Sequence, residues 1–383
     1  MKIVICGNYG AKNIGDEMIL EGLLKSIKSI DPKAEITVLS ADPGETSAKH
    51  GVTSVPKFPA GLRSLISYIQ SKNNSTKKAV QKCDYFILGG GGLFGSLNFH
   101  ANIIWAIQAF MAYRLGKRVI MYGQSISPIK WAFIRKIVKK IFQKAFFIAV
   151  RDADSRIELE KLGVTRKIEI MPDLAFRSQF IDQNGRTGTL EFPITKPSVS
   201  TRRSAIIALR QLSSLGPEFK KNITTFLNWL IEEQNYYIKF MNFQEGKDSD
   251  NKLHYEIIEQ IKDQTKIQHL QNIHDSTEVL NHFATANFVL GMRLHSIISA
   301  TKTATPFIAI SYSSKIDSYV KDLGLTEYSI NLTEINPEKL KKLFNKMQNE
   351  KMSLKESLKL YNKDSQKMHL VIEKKLLHNL TSN

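Results

Sequence analysis

Apolar positions along the chain fall into two alternating patterns. Short runs rich in Ile, Val and Phe at 2–6, 35–39, 85–88, 118–122, 146–150 and 167–171 read as strands. Between them, at 14–30, 64–70, 75–82, 98–115, 129–144 and 153–162, apolar residues recur with helical period. Strands that alternate with helices in this way predict a parallel sheet covered on both faces. The pattern lapses over 176–203, a polar stretch carrying Gly185, Gly188, Pro193 and Pro197, which reads as a linker. It then resumes, with strands at 205–209, 236–240, 288–290 and 306–310 and helices at 217–233, 251–265, 276–285, 294–303 and 315–323. A Lys-rich helical region follows from 337 to about 377. The expected organisation is an α/β domain over 1–175, a linker over 176–203, a second α/β domain over 204–335 and a C-terminal helical extension over 336–383.

Composition supports this picture and narrows the partners. A chain of 383 residues, 42% hydrophobic and 23% charged, suits two domains with a core each. The formal charge of +18, from 54 Lys and Arg against 36 Asp and Glu, favours phosphorylated small molecules, nucleic acid or an acidic membrane surface. A solvated lysine-rich surface is the plainer alternative. Cys6 and Cys83 lie in or beside apolar runs, so both read as core thiols, and no disulfide framework or cysteine zinc site is expected. The opening MKIVICGNYG enters a strand and a glycine turn without a signal region. Nowhere do about 18 uncharged apolar residues run together. The expectation is a cytoplasmic protein without a membrane span.

In an open parallel sheet, ligands bind beyond the carboxyl ends of the strands. The residues that follow the predicted strands are therefore the candidates for chemistry. After the first come Asn8, Gly10, Asn13, Asp16 and Glu17, a glycine turn leading into a helix. The spacing is neither a Walker A loop nor a dinucleotide fingerprint. Asn13, Asp16 and Glu17 suit a helix start, and the acids beside the glycines also suit sugar hydroxyls. After the third strand, Gly89, Gly90, Gly91 and Gly92 allow a strained turn or close approach of a ligand. Gln124 lies in the tight turn after the fourth strand. Arg151 follows the fifth, either to clamp an anion or to pair with Asp152 or Asp154. Asp173 follows the sixth, to hold a loop or accept a sugar hydroxyl.

The second half carries the sharpest group. Gly291, Arg293 and His295 lie on a strand-to-helix turn, where a helix N-terminus, a fixed cation and an imidazole can converge on one oxyanion. Lys315 and Arg210 follow neighbouring strands and add two cations to the same edge. Three cations at three strand ends predict an anion pocket.

These pieces together resemble the polysaccharide pyruvyl transferase family. GNYGAKNIGDE, GGGGLF, GQSISP, RDADS, PDLAF, GMRLHS and YSSK occur in the family's order between residue 1 and about 320. One departure is Ser127, where relatives often carry glycine. The resemblance implies two Rossmann-like domains facing across a cleft, the GT-B-like architecture. It also implies phosphoenolpyruvate as co-substrate, with no metal and no other cofactor. Arg293, His295, Arg151 and Lys315 correspond to residues that relatives use at the donor site. Asn8, Gly10, Asn13, Gly90, Gly91, Gln124 and Asp173, with the acids of the first loop, are then expected on the acceptor side.

The implied chemistry is ketal formation on a sugar of a surface polysaccharide or its lipid-linked precursor, with release of phosphate. His295 is expected to protonate the methylene carbon, and Asp16, then Glu17, with Asp173 in reserve, to take the hydroxyl protons. The basic, amphipathic segment 130–142 is expected either to rest on an anionic inner leaflet or to be a crossover helix. A nucleotide-sugar glycosyltransferase of the same architecture is the rival enzyme. A nucleic-acid binder is disfavoured, because no recognisable motif accompanies the charge.

Overall fold

Strands buried on both faces need apolar side chains at successive positions, and the short Ile- and Val-rich runs supply them. The computed structural model describes residues 1–59, 74–95, 99–178, 180–181, 187–188, 202–246, 249–271, 273 and 275–382. It divides into two compact units, Met1–Ser178 with Ser365–Asn383, and Gln179–Asp364. The helix expected over 64–70 lies outside the described residues.

In the first unit the chain runs β1 (Lys2–Cys6), α1 (Ile14–Ile30), β2 (Glu35–Ser40), α2 (Pro43–His50), β3 (Thr53–Pro56), α3 (Ser75–Lys82) and β4 (Tyr85–Leu88). It continues through β5 (Gly91–Phe94), α4 (Phe99–Arg114), β6 (Arg118–Ile126), α5 (Ala132–Gln143), β7 (Phe147–Val150), α6 (Ala153–Lys161) and β8 (Glu169–Ile170). The strands form one parallel sheet in the order β3-β2-β1-β4-β6-β7-β8, with β5 beside β6. The order reverses between β1 and β4, which is where a doubly wound sheet opens a crevice. Alternate β1 residues face opposite cores. Val4 and Cys6 join the side covered by α4 and α5, and Ile3 and Ile5 the side covered by α1. The two cysteines are buried thiols, pushed up by burial to about 12 at Cys6 and about 11 at Cys83.

The second unit holds a two-stranded antiparallel pair, β9 (Phe180–Ile181) and β10 (Thr187–Gly188). Then follow β11 (Arg203–Ala208), α7 (Pro217–Glu232), β12 (Tyr236–Met241), α8 (Asn251–Ile258), β13 (Ile267–Leu270), α9 (Ser276–Thr285) and β14 (Phe288–Gly291). The remainder is α10 (Leu294–Lys302), β15 (Phe307–Ser311), α11 (Ser314–Asp322), β16 (Ser329–Asn331) and α12 (Pro337–Asn349). Its sheet is parallel, in the order β13-β12-β11-β14-β15-β16, and reverses between β11 and β14.

The C-terminal region is divided between the units. Helix α13 (Lys351–Thr381) starts within the second unit, and from Ser365 onward it belongs to the first. There Ile372 and Leu376 enter the core over β1 and β4, each burial stabilising by about 1.5–3 kcal/mol. Polar residues of this stretch find partners on the turn after β8. Gln366 donates to the Phe176 carbonyl at 2.5 Å, and Glu373 pairs with Arg177 at 2.9 Å. Residues 176–178, expected to open the linker, are buried parts of that turn.

Candidate functional site

In the second unit, the register of β11 against β14 places Ala208 opposite Gly291. Arg210 and Arg293 therefore stand at the same level on adjacent strand ends, and the Met292 N–H donates to the Ala208 carbonyl at 2.9 Å. Arg293 is the N-cap residue of α10, and His295 lies in that helix's first turn. Lys315 lies in the first turn of α11, after the next strand. A cation at a helix N-terminus opposes the helix dipole. Two successive helices carry one there, so this edge combines two positive helix ends with fixed cations. Arg293, His295 and Lys315 are all half-buried. The compact turn depends on Gly291, where a Cβ would come within 2.6 Å of Ser296 Oγ.

Each arginine is held by a neighbour. Arg210 donates to the Tyr312 hydroxyl, with its guanidinium 5.0 Å from that ring's centroid. Arg293 donates through Nε and Nη2 to the two oxygens of Asp250, at 3.0 and 2.5 Å. Asp250 is fully buried and was not foreseen. It follows β12 in a polar loop, and its contact with Arg293 spans 43 positions, so no local pattern marks it. Beneath the pair, burial pushes the His254 imidazole down to about 3, helped by His269 and Arg293.

The corresponding edge of the first unit is acidic. Asn13 caps α1 by accepting from the Asp16 N–H at 3.1 Å. The Asn8 amide donates to Asp16 Oδ2 at 2.8 Å. Glu17 accepts from the Gly10 N–H at 2.9 Å and contacts His50 Nε2 at 2.8 Å. Burial alone would raise the Glu17 pKa, but these bonds and nearby Lys49 hold it below the ordinary carboxylate value. Glu17 thus fastens the loop, whereas half-buried Asp16 lies beside Gly91. Gly91 has a φ of +95°, a conformation that favours glycine. Lys57, also unforeseen, donates to the Gly7 and Tyr9 carbonyls at 3.3 and 3.5 Å. Burial lowers its pKa, against the pull of Cys6, Asp16 and Glu17.

The other candidates of the first unit have contacts within the scaffold. The Arg151 side chain, 7% exposed, donates to Asp173 Oδ2 at 2.9 Å, with Asp152 at 3.7 Å. Asp173 is 3% exposed and also accepts from the Ala175 N–H, so the nearest carboxylate to Arg151 is Asp173 rather than the expected Asp152 or Asp154. Gln124 is fully buried and donates to the Leu88 carbonyl at 2.5 Å, tying the ends of β4 and β6. Gly90 makes room for packing, since a Cβ there would meet the Gly123 carbonyl and Ile19 at 3.0 Å. The apolar side of α5, offered above to a leaflet, is buried through Ile134, Val138, Ile141 and Phe142. The crossover-helix alternative is the one observed, and lysines with Phe133 remain outside. Among the described residues, no helix is long and apolar enough to cross a membrane, and no group of three or more His, Cys, Asp or Glu could hold a metal ion.

Two doubly wound parallel sheets, one with an acidic and one with a cationic switch point, define a GT-B-like α/β protein. Within that class the chain belongs to the polysaccharide pyruvyl transferase family, whose sequence profile matches residues 13–314. It is 24% identical over 366 residues to the amylovoran biosynthesis protein AmsJ of Erwinia amylovora, covering 85% of this chain and 87% of that protein. Among solved structures it is similar to the UDP-GlcNAc 2-epimerase of Methanocaldococcus jannaschii, with a TM-score of 0.62, 12% identity and coverage of 90% and 92%. Anabaena Alr3699/HepE, solved with UDP and glucose, gives a TM-score of 0.61, 12% identity and full coverage of both chains. At such identities these structures establish the fold alone. The family and the likeness to AmsJ support a polysaccharide-modifying transferase.

Proposed function

We propose that this protein transfers the pyruvyl group of phosphoenolpyruvate to two hydroxyls of one sugar, building a cyclic ketal on an exopolysaccharide subunit. The observation that carries this reading is the set of Arg210, Arg293, His295 and Lys315 on one sheet edge. Phosphoenolpyruvate is a small trianion with a carboxylate and a phosphate. Arginines with fixed planes suit those groups, and two helix N-termini add to the attraction.

His295 delivers a proton to the methylene carbon as general acid. The ketal carbon becomes electrophilic and the first hydroxyl adds to it. The C–O bond to phosphate then breaks, with Lys315 and the arginines taking up the developing charge. A second hydroxyl closes the ring. Two hydroxyl protons are released; one balances the proton given to carbon and the other leaves with phosphate. Asp16 is the base in this reading, in preference to Glu17, because Asp16 is half-buried beside Gly91 whereas Glu17 is buried. No metal or further cofactor enters the scheme.

The saccharide is assigned to the acidic loop of the first unit, through Asn8, Asn13 and Asp16. A lipid-linked acceptor would bring the enzyme to the inner face of the cytoplasmic membrane, where lysines on α5 supply the electrostatic attraction. The test is phosphate release from phosphoenolpyruvate against a panel of sugar acceptors, with product mass read for pyruvyl addition. Sugar-dependent release with that mass gain supports the assignment. Release of a nucleotide from a nucleotide sugar, with phosphoenolpyruvate inert, overturns it.

A further inference from the structure

We infer that Asp250 is a positioning residue that fixes the plane of Arg293 and so sets how the anionic donor is gripped. The inference rests on the proposed donor site and adds a residue to it.

Three features distinguish this carboxylate from an ordinary buried ion-pair partner. Asp250 stands at the N-cap of α8, where aspartate normally accepts from an N–H of the first turn. Here it makes no such bond. Its oxygens turn to the strand ends instead, accepting from Arg293 Nε and Nη2 and, at 3.0 Å, from the Gln211 N–H. Asp250 thus links the segments that follow β11, β12 and β14, the three strands around the switch point. Burial is also unequal across the pair, with side-chain exposures of 0% for Asp250 and 12% for Arg293.

The direction of the bonds matters. A guanidinium has five N–H donors in one plane. Using Nε and Nη2 on Asp250 leaves Nη1 at the other edge, with no further hydrogen bond from the guanidinium to the described residues. An arginine held along one edge loses little freedom when an anion meets the other, so the donor is met by a preorganised group. The carboxylate also offsets the charge of Arg293, so this residue contributes geometry more than net attraction.

Asp250→Asn tests this, because asparagine keeps the shape and an acceptor for Gln211 but loses the charge that orients Arg293. Phosphate release is measured against phosphoenolpyruvate and acceptor separately. The expected result is a KM for phosphoenolpyruvate raised about tenfold or more, with the acceptor KM unchanged and kcat within about threefold. In an Arg293→Lys background the same substitution should change that KM by less than about twofold, since the group it positions is gone. An unchanged KM, or equal effects with and without Arg293, overturns the role. Asp250→Glu keeps the charge but displaces it by one methylene, and it carries the test if the asparagine variant does not fold. If the wild-type protein releases no phosphate from phosphoenolpyruvate, the donor assignment fails. The variants are then titrated with inorganic phosphate by calorimetry. Binding weakened fivefold or more, by the order expected for a mis-set charge-assisted contact, retains the positioning role; equal binding removes it.

Discussion

The two units share a winding and differ in the charge that follows corresponding strands. In both, the order reverses beside the first strand of the sheet, β1 or β11. Beyond β1 the chain places Asp16 and Glu17, with Lys49, His50 and the Gly10 N–H set against Glu17. Beyond β11 and β14 it places Arg210 and Arg293, with a carboxylate buried behind. The lesson is that the fold opens the crevice and the first few residues past each strand decide its ligand. In the second unit the group of minority charge is the more hidden partner, with 0% exposure for Asp250 against 12% for Arg293. If the comparison holds, substitutions in the second unit should alter donor handling, and those in the first should alter acceptor handling or stability.

The sharpest break would come from His295→Ala. A positioned general acid contributes about 10²–10⁴ in rate, so kcat should fall by that order while the KM for phosphoenolpyruvate stays within a few-fold. A loss confined to KM would remove the proton-transfer role. Next is Arg293→Ala. It should lower kcat/KM for phosphoenolpyruvate about a hundredfold and leave the acceptor KM alone, as expected for a charge-assisted contact. It also leaves Asp250 buried without its cation, which costs about 3–5 kcal/mol. Urea unfolding reads that loss.

Acid separates the units by a smaller margin. His254 is held neutral, pushed down to about 3 by burial and by His269 and Arg293. The unfolded chain takes up the proton near pH 6.5. Stability from this site is therefore complete above pH 6.5 and lost as pH falls toward 3, at up to about 1.4 kcal/mol per pH unit. Glu17 is also lowered, by its bonds to His50 and Gly10 working against burial. Its contribution is complete above the ordinary carboxylate pKa and lost only as pH falls through the folded value. His254→Phe should flatten the stability profile between pH 6.5 and 4.5, and Glu17→Gln should alter it only below that range. Unfolding series from pH 7 to 4 check both. A Glu17→Gln effect that fades already at pH 6 would contradict the assignment.

What could be read in the sequence follows from the range of the interactions. Helix starts are local, and Asn13 caps as its position suggests. The cations of the second unit were legible because strand ends of a parallel sheet gather. Partners set by tertiary contact were not. Asp250 meets Arg293 across 43 positions, and Lys57 reaches Tyr9 across 48. The short elements α2, β3, β13 and β16 carry too little periodicity to stand out. Helix α13 hid its division because the positions it buries in the first unit include Ser365, His369 and Glu373. Their polarity suggests solvent, yet His369 Nε2 lies 3.1 Å from the Asp173 carbonyl and Glu373 on Arg177.

The smallest effect bears on the glycines of the first unit. The run after β4 invites the idea that a ligand approaches the backbone at Gly89. The packing offers another reason. Tyr9 is fully buried, and a Cβ on Gly89 would lie 2.2 Å from its hydroxyl and 2.9 Å from Leu23 Cδ2. The hydroxyl has no hydrogen-bond partner among the described residues, which by itself costs about 1 kcal/mol or more. Tyr9→Phe should therefore stabilise the protein by about 1 kcal/mol, read as a shift of the urea midpoint at constant slope. Gly89→Ala should destabilise by about 1–3 kcal/mol through overpacking, and by less when Tyr9→Phe has removed the nearest atom. Should Gly89→Ala instead leave stability intact and raise the acceptor KM, the glycine faces a ligand after all, and the first unit uses its backbone as the second uses its arginines.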